Sequence, residues 1–412
     1  MGAYGLIGER LGHSFSPRLH ALLGGEGYAL WPMPPDALDD FLAARAFDGA
    51  NVTIPYKQAV IPHCAELGET ARRIGSVNTL VRRADGTLFG DNTDAFGFAL
   101  MAGAAGIEFK GKKALVLGSG GTSLTACDVV RQAGGTPIVI SRHGENNYDN
   151  LDRHADAEVL VNATPVGMYP RVFASPVDLR RFPRLSGVLD VIYNPLRTLL
   201  LQQAEALGIL CSGGLRMLVG QAVRARELFT GEPIPAPIVQ SAYAALRAES
   251  LNLVLIGMPG SGKSTLGRLL AQQLGRPLVD VDSEIEAEAG RSIPDIFAQD
   301  GEGAFRDLES AVLEKICLRG GQIIATGGGA PLRERNRQLM RMNGFVALLE
   351  RPVELLSTGG RPLSKGLATL RRMKTERAQA YAACADFRAD NSGARQRCAD
   401  AIKEAFHEAL CY

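Results

Sequence analysis

The chain has 412 residues, 46% hydrophobic and 22% charged, with 45 Lys+Arg against 44 Asp+Glu. At roughly 100–200 residues per domain this length predicts several domains of an ordinary globular protein, and the even charge excludes a basic nucleic-acid binder or an acidic solvating tail. The 47 glycines follow no collagen period and form no Gly/Ser linker, which leaves tight turns and phosphate loops as their use. The seven cysteines show no CxxC and no paired Cys/His spacing. That argues against a zinc site and for reduced thiols in a cytoplasm. Glu9 and Arg10 come before any apolar signal-peptide core can form. No apolar run approaches the roughly 18 residues needed to span a bilayer, so a membrane is not an expected partner, and the even charge makes nucleic acid none either.

Short apolar runs bounded by glycine alternate with helical stretches, which predicts an α/β architecture. Near the start, Ser14 and Ser16 stand at i and i+2 in LGHSFSP. They either grip one carboxylate together, or Ser16 caps a helix with Pro17 at its first position; the two readings are compatible. Asn51-Val52-Thr53-Ile54-Pro55-Tyr56-Lys57 ends a strand-like segment with a lysine near a cleft. Asn78-Thr79 and Gly90-Asp91-Asn92-Thr93-Asp94 add amides and a carboxylate. A lysine and an aspartate sharing substrate hydroxyls suit proton transfer, although each alone is ordinary turn or surface chemistry. The strand KALVL then leads into Gly118-Ser119-Gly120-Gly121 and a helical run. This is a broken dinucleotide fingerprint, because Ser123 stands where the last glycine of GxGxxG belongs. The next strand, PIVIS, ends at Ser141-Arg142, about twenty residues on, where arginine suits the 2′-phosphate of NADP and an acid would suit NAD. The Pro-rich stretch 231–239 reads as an interruption, a helical stretch follows it, and a domain boundary is placed at about 250.

The second half opens with LNLVLI, a buried strand, then Gly257-Met258-Pro259-Gly260-Ser261-Gly262-Lys263-Ser264 and a helix. This is GxxxxGK[ST] in its required strand–loop–helix context. Backbone N–H groups and the helix N-terminus would wrap phosphate, Lys263 would reach the β/γ-phosphates, and Ser264 would ligate Mg²⁺. Asp280 and Asp282 stand at i and i+2, which on a strand would place both on one face, one for a Mg²⁺-bound water and one for a substrate hydroxyl. Gly327-Gly328-Gly329 follows the apolar IIAT, at the strand end where open α/β sheets bind ligands. Arg306 and the stretch Arg361 to Arg377 could clamp anions.

Together the motifs of the second half, GMPGSGKSTLGR, VDVDSEIE, Phe305-Arg306 with Glu309, ATGGGAPL, Arg361-Pro362-Leu363 and Glu376-Arg377 with Tyr381, resemble shikimate kinase over nearly all of 251–412. The resemblance implies a P-loop, nucleoside-monophosphate-kinase-like domain over 250–412 that uses ATP and Mg²⁺. Gly260, Ser261, Gly262, Ser264 and Thr265 would hold nucleotide, with Asp280 helping to place Mg²⁺. Asp282 would orient the 3-hydroxyl of shikimate, Arg306 and Arg377 would hold its carboxylate, and Gly328 and Gly329 would border it. Lys263 and Arg361 would stabilise the moving phosphoryl group. Many family members carry an arginine just before the lid that lies against adenine; here that stretch reads LLSTGGRPL, with Ser357 and Thr358 roughly in its place.

The first half resembles shikimate dehydrogenase through GHSFSPRLH, NVTIPYK, SVNT, GDNTDAFG, LGSGGTS, NATPVGM, DVIYNPLRTLLL and GLRMLVGQA, in family order across about 1–249. The resemblance implies a substrate domain over 1–100 completed by 214–249, and a Rossmann-type NADP-binding domain over 101–213. Lys57 and Asp94 would be the catalytic pair. Ser14, Ser16, Thr53, Asn78, Tyr193 and Gln221 would contact substrate, and Gly118, Gly120, Gly121, Ser141, Arg142 and Met168 would line the NADP(H) site. The cofactor loop departs from the family's usual N-R-T, reading ISRHGENNYDN with one arginine. The two resemblances imply consecutive steps toward chorismate and the aromatic amino acids: 3-dehydroshikimate to shikimate, then shikimate to shikimate 3-phosphate. The alternatives are a quinate/shikimate dehydrogenase fused to another small-molecule kinase, and a kinase-like module that binds nucleotide without catalysis.

Overall fold

The computed structural model describes residues 2–12, 14–356 and 366–411. Cα packing separates them into two units, Met1–Asn194 with Thr198–Tyr243, and Pro195–Arg197 with Ala244–Tyr412.

The first unit holds two sheets. The first contains β1 (Tyr4–Gly8), β2 (Ala29–Pro32), β3 (Gly49–Val52), β4 (Glu66–Leu67), β5 (Thr79–Arg82) and β6 (Leu88–Asp91), in the order β2-β1-β3-β5-β6-β4. It is mixed: β3–β5 and β5–β6 are antiparallel, the other pairs parallel. Its helices are α1 (Ser16–Leu22), α2 (Leu38–Ala44), α3 (Glu69–Ile74) and α4 (Asp94–Ala104). Helix α1 begins one residue earlier than a Ser16 cap requires. Phe15 occupies the cap position without a side-chain bond, and Ser14 Oγ accepts from Ser16 N–H at 3.2 Å.

The second sheet is parallel throughout: β7 (Lys113–Leu117), β8 (Thr136–Ile140), β9 (Val159–Asn162), β10 (Gly187–Asp190) and β11 (Leu210–Gly213), in the order β11-β10-β9-β7-β8. Alternation along β7 supplies two cores, as strand geometry demands. Ala114 and Val116 face Phe98 and Met101 of α4 and Val130 of α5 (Gly121–Gln132), whereas Leu115 and Leu117 face Leu200 and Leu201 of α6 (Leu199–Ala206). The chain leaves β7 for β8 on one side and then crosses to β9 on the other. This creates the switch point at which such sheets bind ligands. Helices α7 (Leu215–Thr230) and α8 (Ala236–Ser250) follow. Helix α8 starts inside the Pro-rich stretch, because proline in a first turn lacks only an N–H the helix leaves unpaired there.

Helix α7 returns to the first sheet and crosses α4 at backbone distance. A Cβ on Gly220 would lie 2.9 Å from the Cα of Gly97, and a Cβ on Gly97 would collide with the carbonyl of Met217. This glycine pair lets Asp94 on α4 and Gln221 on α7 reach one cavity.

The second unit is built on a parallel sheet of β12 (Asn252–Gly257), β13 (Leu278–Asp280), β14 (Ile323–Ala325), β15 (Gly344–Glu350) and β16 (Phe387–Asp390), ordered β13-β14-β12-β15-β16. Its helices are α9 (Lys263–Leu274), α10 (Val281–Ala289), α11 (Ile293–Cys317), α12 (Glu334–Met342), α13 (Leu367–Cys384) and α14 (Arg395–Cys411). One expectation fails here. Asp280 and Asp282 do not share a strand face, because β13 stops at Asp280, which caps α10 by accepting from Asp282 N–H at 3.2 Å. The acid that should have continued the strand instead starts a helix. Among the described residues no helix is long and apolar enough to cross a membrane.

Because the Gly97 collision is with backbone, no rotamer change relieves it. Gly97→Ala should lower the stability of the first unit by about 1–3 kcal/mol, read as an earlier denaturant transition of that unit by amide hydrogen exchange. An unchanged transition would show that α4 and α7 separate without cost.

Candidate active sites

A cavity of about 510 Å³ in the first unit is lined by Ser14, Ser16, Thr53, Lys57, Asn78, Asp94, Tyr193 and Gln221. The motifs that supplied these residues lie up to two hundred positions apart in sequence. At the centre Lys57 Nζ meets Asp94 Oδ2 at 2.5 Å, with the two side chains 20% and 12% exposed. Asp94 opens α4, where the helix N-terminus favours a carboxylate. Asn78 is fixed by a buried polar network that sequence reading did not find. Its Oδ1 accepts from Thr93 N–H at 2.7 Å, and its carbonyl accepts from Asn51 Nδ2 at 3.3 Å. Asn51 Oδ1 in turn accepts from Tyr28 O–H at 2.7 Å, and His20 stacks on the Tyr28 ring at 4.0 Å. Burial, then the charge of Arg226, pushes His20 down to about 3, so the network is neutral. Burial also raises the Tyr193 hydroxyl, which stays protonated and able to donate.

The proposed cofactor residues sit at the carboxyl edge of the second sheet. Gly118 follows β7 with φ +107, and a Cβ there would lie 3.0 Å from the carbonyl of Ala163 beyond β9. Gly120 caps α5 and Gly121 begins it, within 4.0 Å of the Lys57 side chain for a Cβ at that position. The glycine loop therefore adjoins the Lys57–Asp94 pair. Ser141 and Arg142 follow β8, where Ser141 Oγ donates to the His143 carbonyl at 2.6 Å. Met168 lies exposed on the loop after β9.

Asp190, absent from the sequence-based set, holds this edge together. It is fully buried at the end of β10. Its Oδ1 accepts from Asn162 Nδ2 and Ile192 N–H, each at 3.1 Å, and its Oδ2 accepts from Thr198 O–H at 2.7 Å. Asn162 Oδ1 accepts from Thr164 O–H at 2.6 Å. One carboxylate thus ties the loop leading to Met168 to the segment carrying Tyr193. Burial, opposed by Thr198, Ile192 and Asn162, pushes its carboxyl up to about 6.

In the second unit another cavity of about 510 Å³ is lined by Gly260, Gly262, Lys263, Ser264, Thr265, Asp280, Asp282, Arg306, Gly328, Gly329 and Arg377. Ser261 lies beneath it, fully buried. Lys263 Nζ donates to the carbonyls of Gly257 and Met258 at 3.0 and 3.1 Å. Ser264 Oγ donates to Asp280 Oδ2 at 2.6 Å. A hydroxyl and a carboxylate beside the α9 N-terminus fit Mg²⁺, which takes few protein oxygens and completes its shell with phosphate and water. No cluster of three His, Cys, Asp or Glu side chains suited to a metal exists among the described residues. Arg377 Nη1 and Tyr381 O–H both donate to the Gly328 carbonyl at 2.7 Å. Arg306 packs so closely on Gly329 that any side chain there would strike its guanidinium. Arg361, Ser357 and Thr358 lie outside the described residues.

Glu309 stands in the sequence motif with Arg306 but was given no role there. It is fully buried, and its Oε2 accepts from Arg306 Nη1 at 2.8 Å, three residues back on α11. Burial lowers the Arg306 guanidinium, but Glu309 and Glu302 outweigh it and hold the group above its ordinary value, fully cationic. The i,i+3 spacing of an arginine and a glutamate was the available signal.

The family model for shikimate kinase matches residues 259–407, and that for the shikimate dehydrogenase substrate binding domain matches residues 6–80. A shikimate dehydrogenase (NADP(+)) of Clostridium perfringens is 33% identical over 269 residues, covering 60% of this chain and 99% of the relative. That of Thermus thermophilus is 38% identical over 261 residues, covering 59% and 98%. The crystal structure of a Thermus thermophilus shikimate 5-dehydrogenase in complex with NADP(H) and shikimate aligns with TM-score 0.53 at 37% identity, over 59% of this chain and 98% of that one.

Asp190 gives the first unit a pH signature. Its carboxyl rises from 3.8 to about 6 on folding, so the folded state is penalised once the group ionises. Below about pH 4 it is neutral in both states; between about pH 4 and 6 the unfolded chain ionises first, and stability falls by up to about 3 kcal/mol. Asp190→Asn should remove that decline from a plot of unfolding midpoint against pH. Parallel wild-type and variant profiles would show that Asp190 is not strained by burial.

Proposed function

The chain belongs to the shikimate dehydrogenase family and carries a shikimate kinase domain behind it, and on that footing we propose which residues perform each reaction. The chain is a bifunctional enzyme of aromatic amino acid biosynthesis: an NADP-dependent shikimate dehydrogenase and an ATP- and Mg²⁺-dependent shikimate kinase. Bound NADPH supplies the hydride of the first step and bound Mg·ATP the phosphoryl group of the second. We divide the chain into a substrate domain of 1–100 with 214–249, an NADP domain of 101–213 and a kinase domain of 250–412.

The observation that carries the first assignment is the 2.5 Å contact of Lys57 with Asp94 inside a cavity also lined by Ser14, Ser16, Thr53, Asn78, Tyr193 and Gln221. The Ser14 and Ser16 hydroxyls take the substrate carboxylate. Thr53, Asn78, Tyr193 and Gln221 hold the remaining oxygens. Lys57 gives its proton to the C3 carbonyl oxygen of 3-dehydroshikimate as hydride reaches C3, and Asp94 keeps the ammonium aimed at that oxygen. The ketone becomes a hydroxyl, and solvent returns the proton to Lys57. Gly118, Gly120, Gly121, Ser141, Arg142 and Met168 hold NADP(H), with Arg142 the only arginine in the loop for its 2′-phosphate.

In the kinase domain the P-loop backbone over Gly260, Ser261, Gly262 and Thr265 cradles phosphate, and Lys263 follows the transferred charge. Ser264 and Asp280 hold Mg²⁺. Arg306, kept cationic by Glu309, and Arg377, braced on the Gly328 carbonyl, clamp the shikimate carboxylate. Gly328 and Gly329 let the ring approach, and Asp282 orients the 3-hydroxyl and takes its proton. Arg361 is assigned to the phosphoryl group from its motif alone. The proposed compartment is the cytoplasm, supported by Cys127, Cys317, Cys384 and Cys398, which are buried and form no disulfide among the described residues.

One incubation with 3-dehydroshikimate, NADPH, ATP and Mg²⁺ should yield shikimate 3-phosphate by mass spectrometry. Accumulated shikimate alone would refute the kinase half, and no shikimate would refute the dehydrogenase half. Lys57→Ala should lower dehydrogenase turnover roughly 10²–10⁴-fold while NADPH titrates as in the wild type. Undiminished turnover would remove Lys57 from the mechanism.

A further inference from the structure

Strand β12 divides the carboxyl edge of the kinase sheet into two sides. On one side lie β13 and β14, followed by Asp280, Asp282, Gly328 and Gly329, which line the acceptor cavity. On the other lie β15 and β16. Their last paired residues are Glu350 and Asp390, and Asn391 N–H donates to the Glu350 carbonyl at 2.8 Å. Arg351 and Asn391 are therefore neighbours, each the first residue past its strand.

Both reach the P-loop. Asn391 Nδ2 donates to the Ser261 carbonyl at 2.6 Å. A Cβ on Gly262 would lie 3.0 Å from Asn391 Nδ2 and 3.7 Å from Arg351 Nη1. Gly262 is the cap of α9, with φ +96. Three buried polar atoms at this spot have no partner among the described residues: Ser261 Oγ, Arg351 Nε and Asn391 Oδ1. Buried polar groups are seldom left so, and three of them converging from the P-loop and from the ends of β15 and β16 point to a polar ligand surface there.

We propose that Arg351 forms the adenine contact of the kinase site, with Asn391 as the positioning residue that holds the P-loop beside it. The inference rests on the reading of this unit as an ATP-dependent kinase. The terminal phosphate must point at the hydroxyl held by Asp282, on the β13–β14 side, so the nucleoside trails over the opposite side of α9. Arg351, the first residue past β15, lies at that edge beside Gly262. A guanidinium is planar, weakly hydrated and stacks on aromatic faces, which suits a purine base. The phosphates already have the P-loop amides and Lys263. An arginine from the end of β15 thus does the work for which the lid stretch at Ser357-Thr358 offers no arginine.

The test uses the full-length chain. Arg351→Ala should raise the KM for ATP and the dissociation constant of ADP about tenfold, equivalent to about 1.4 kcal/mol. The KM for shikimate, dehydrogenase turnover and the unfolding midpoint should not move. Arg351→Lys, which keeps the charge and loses the plane, should resemble the alanine variant. The inhibition constant of inorganic tripolyphosphate, which has no base, should be the same in all three proteins. Unchanged ADP binding would overturn the proposal. So would a tripolyphosphate constant that rises with that of ADP, since Arg351 would then be a phosphate ligand, and so would a parallel loss of shikimate affinity and stability. Wild-type protein that binds ADP but makes no shikimate 3-phosphate would count against the kinase reading, while ADP titration of the variants would still decide the role of Arg351.

Discussion

A lysine and an aspartate can share a proton with a substrate only if neither drifts, and the Lys57–Asp94 contact is held from both ends by backbone. Lys57 follows β3, and its carbonyl accepts from Val77 N–H at 2.8 Å. Asp94 starts α4, whose position is set by α7 through the approach of Gly220 to Gly97. Segments more than a hundred residues apart in sequence therefore set one 2.5 Å distance. That explains why the C-terminal part of the first unit returns to the substrate domain after the NADP-binding sheet is complete. It also explains why Gln221 can face the same cavity as Ser14.

Both units hold residues of the proposed sites in place with a buried carboxylate. Asp190 joins the β9 and β10 loops, and Glu309 holds Arg306. The two are built differently. Asp190 faces neutral donors, so burial dominates and its carboxyl is raised to about 6. At Glu309 burial also wins and raises the carboxyl, but the Arg306 guanidinium opposes it, and Glu309 with Glu302 keeps Arg306 charged. A buried charge without a full partner costs stability. Its presence at a loop junction is consistent with selection for geometry over stability at that point.

Much of this was legible in the sequence, for identifiable reasons. Strand–glycine–helix units are local, so β7 with α5 and β12 with α9 could be read from spacing. The residues that gather in each cavity came from motif resemblance, since Lys57, Asp94, Tyr193 and Gln221 individually look like turn or surface residues. What failed was a local choice between two uses of one aspartate. A carboxylate two residues before a free N–H can end a strand by capping a helix, and Asp280 does so. What was invisible was long-range hydrogen bonding. Nothing in the sequence near Asp190 tells that Asn162 and Thr198 donate to it, or that Tyr28 supports Asn78 through Asn51.

The nucleotide site shows the same division within a single ligand. Phosphate is bound mainly by backbone N–H groups and a helix N-terminus, which demand glycines at fixed spacing and therefore leave a readable pattern. An adenine ring needs only a flat, adaptable surface, which a side chain just past the end of a strand can supply. An arginine one residue beyond β15 serves that purpose as well as one before the lid, and the register of β15 with β16 brings Asn391 beside it. Motif comparison records the lid arginine as missing because it compares positions along the chain. The sheet compares positions in space, where Arg351 stands next to Gly262 although it lies 89 residues further along the chain.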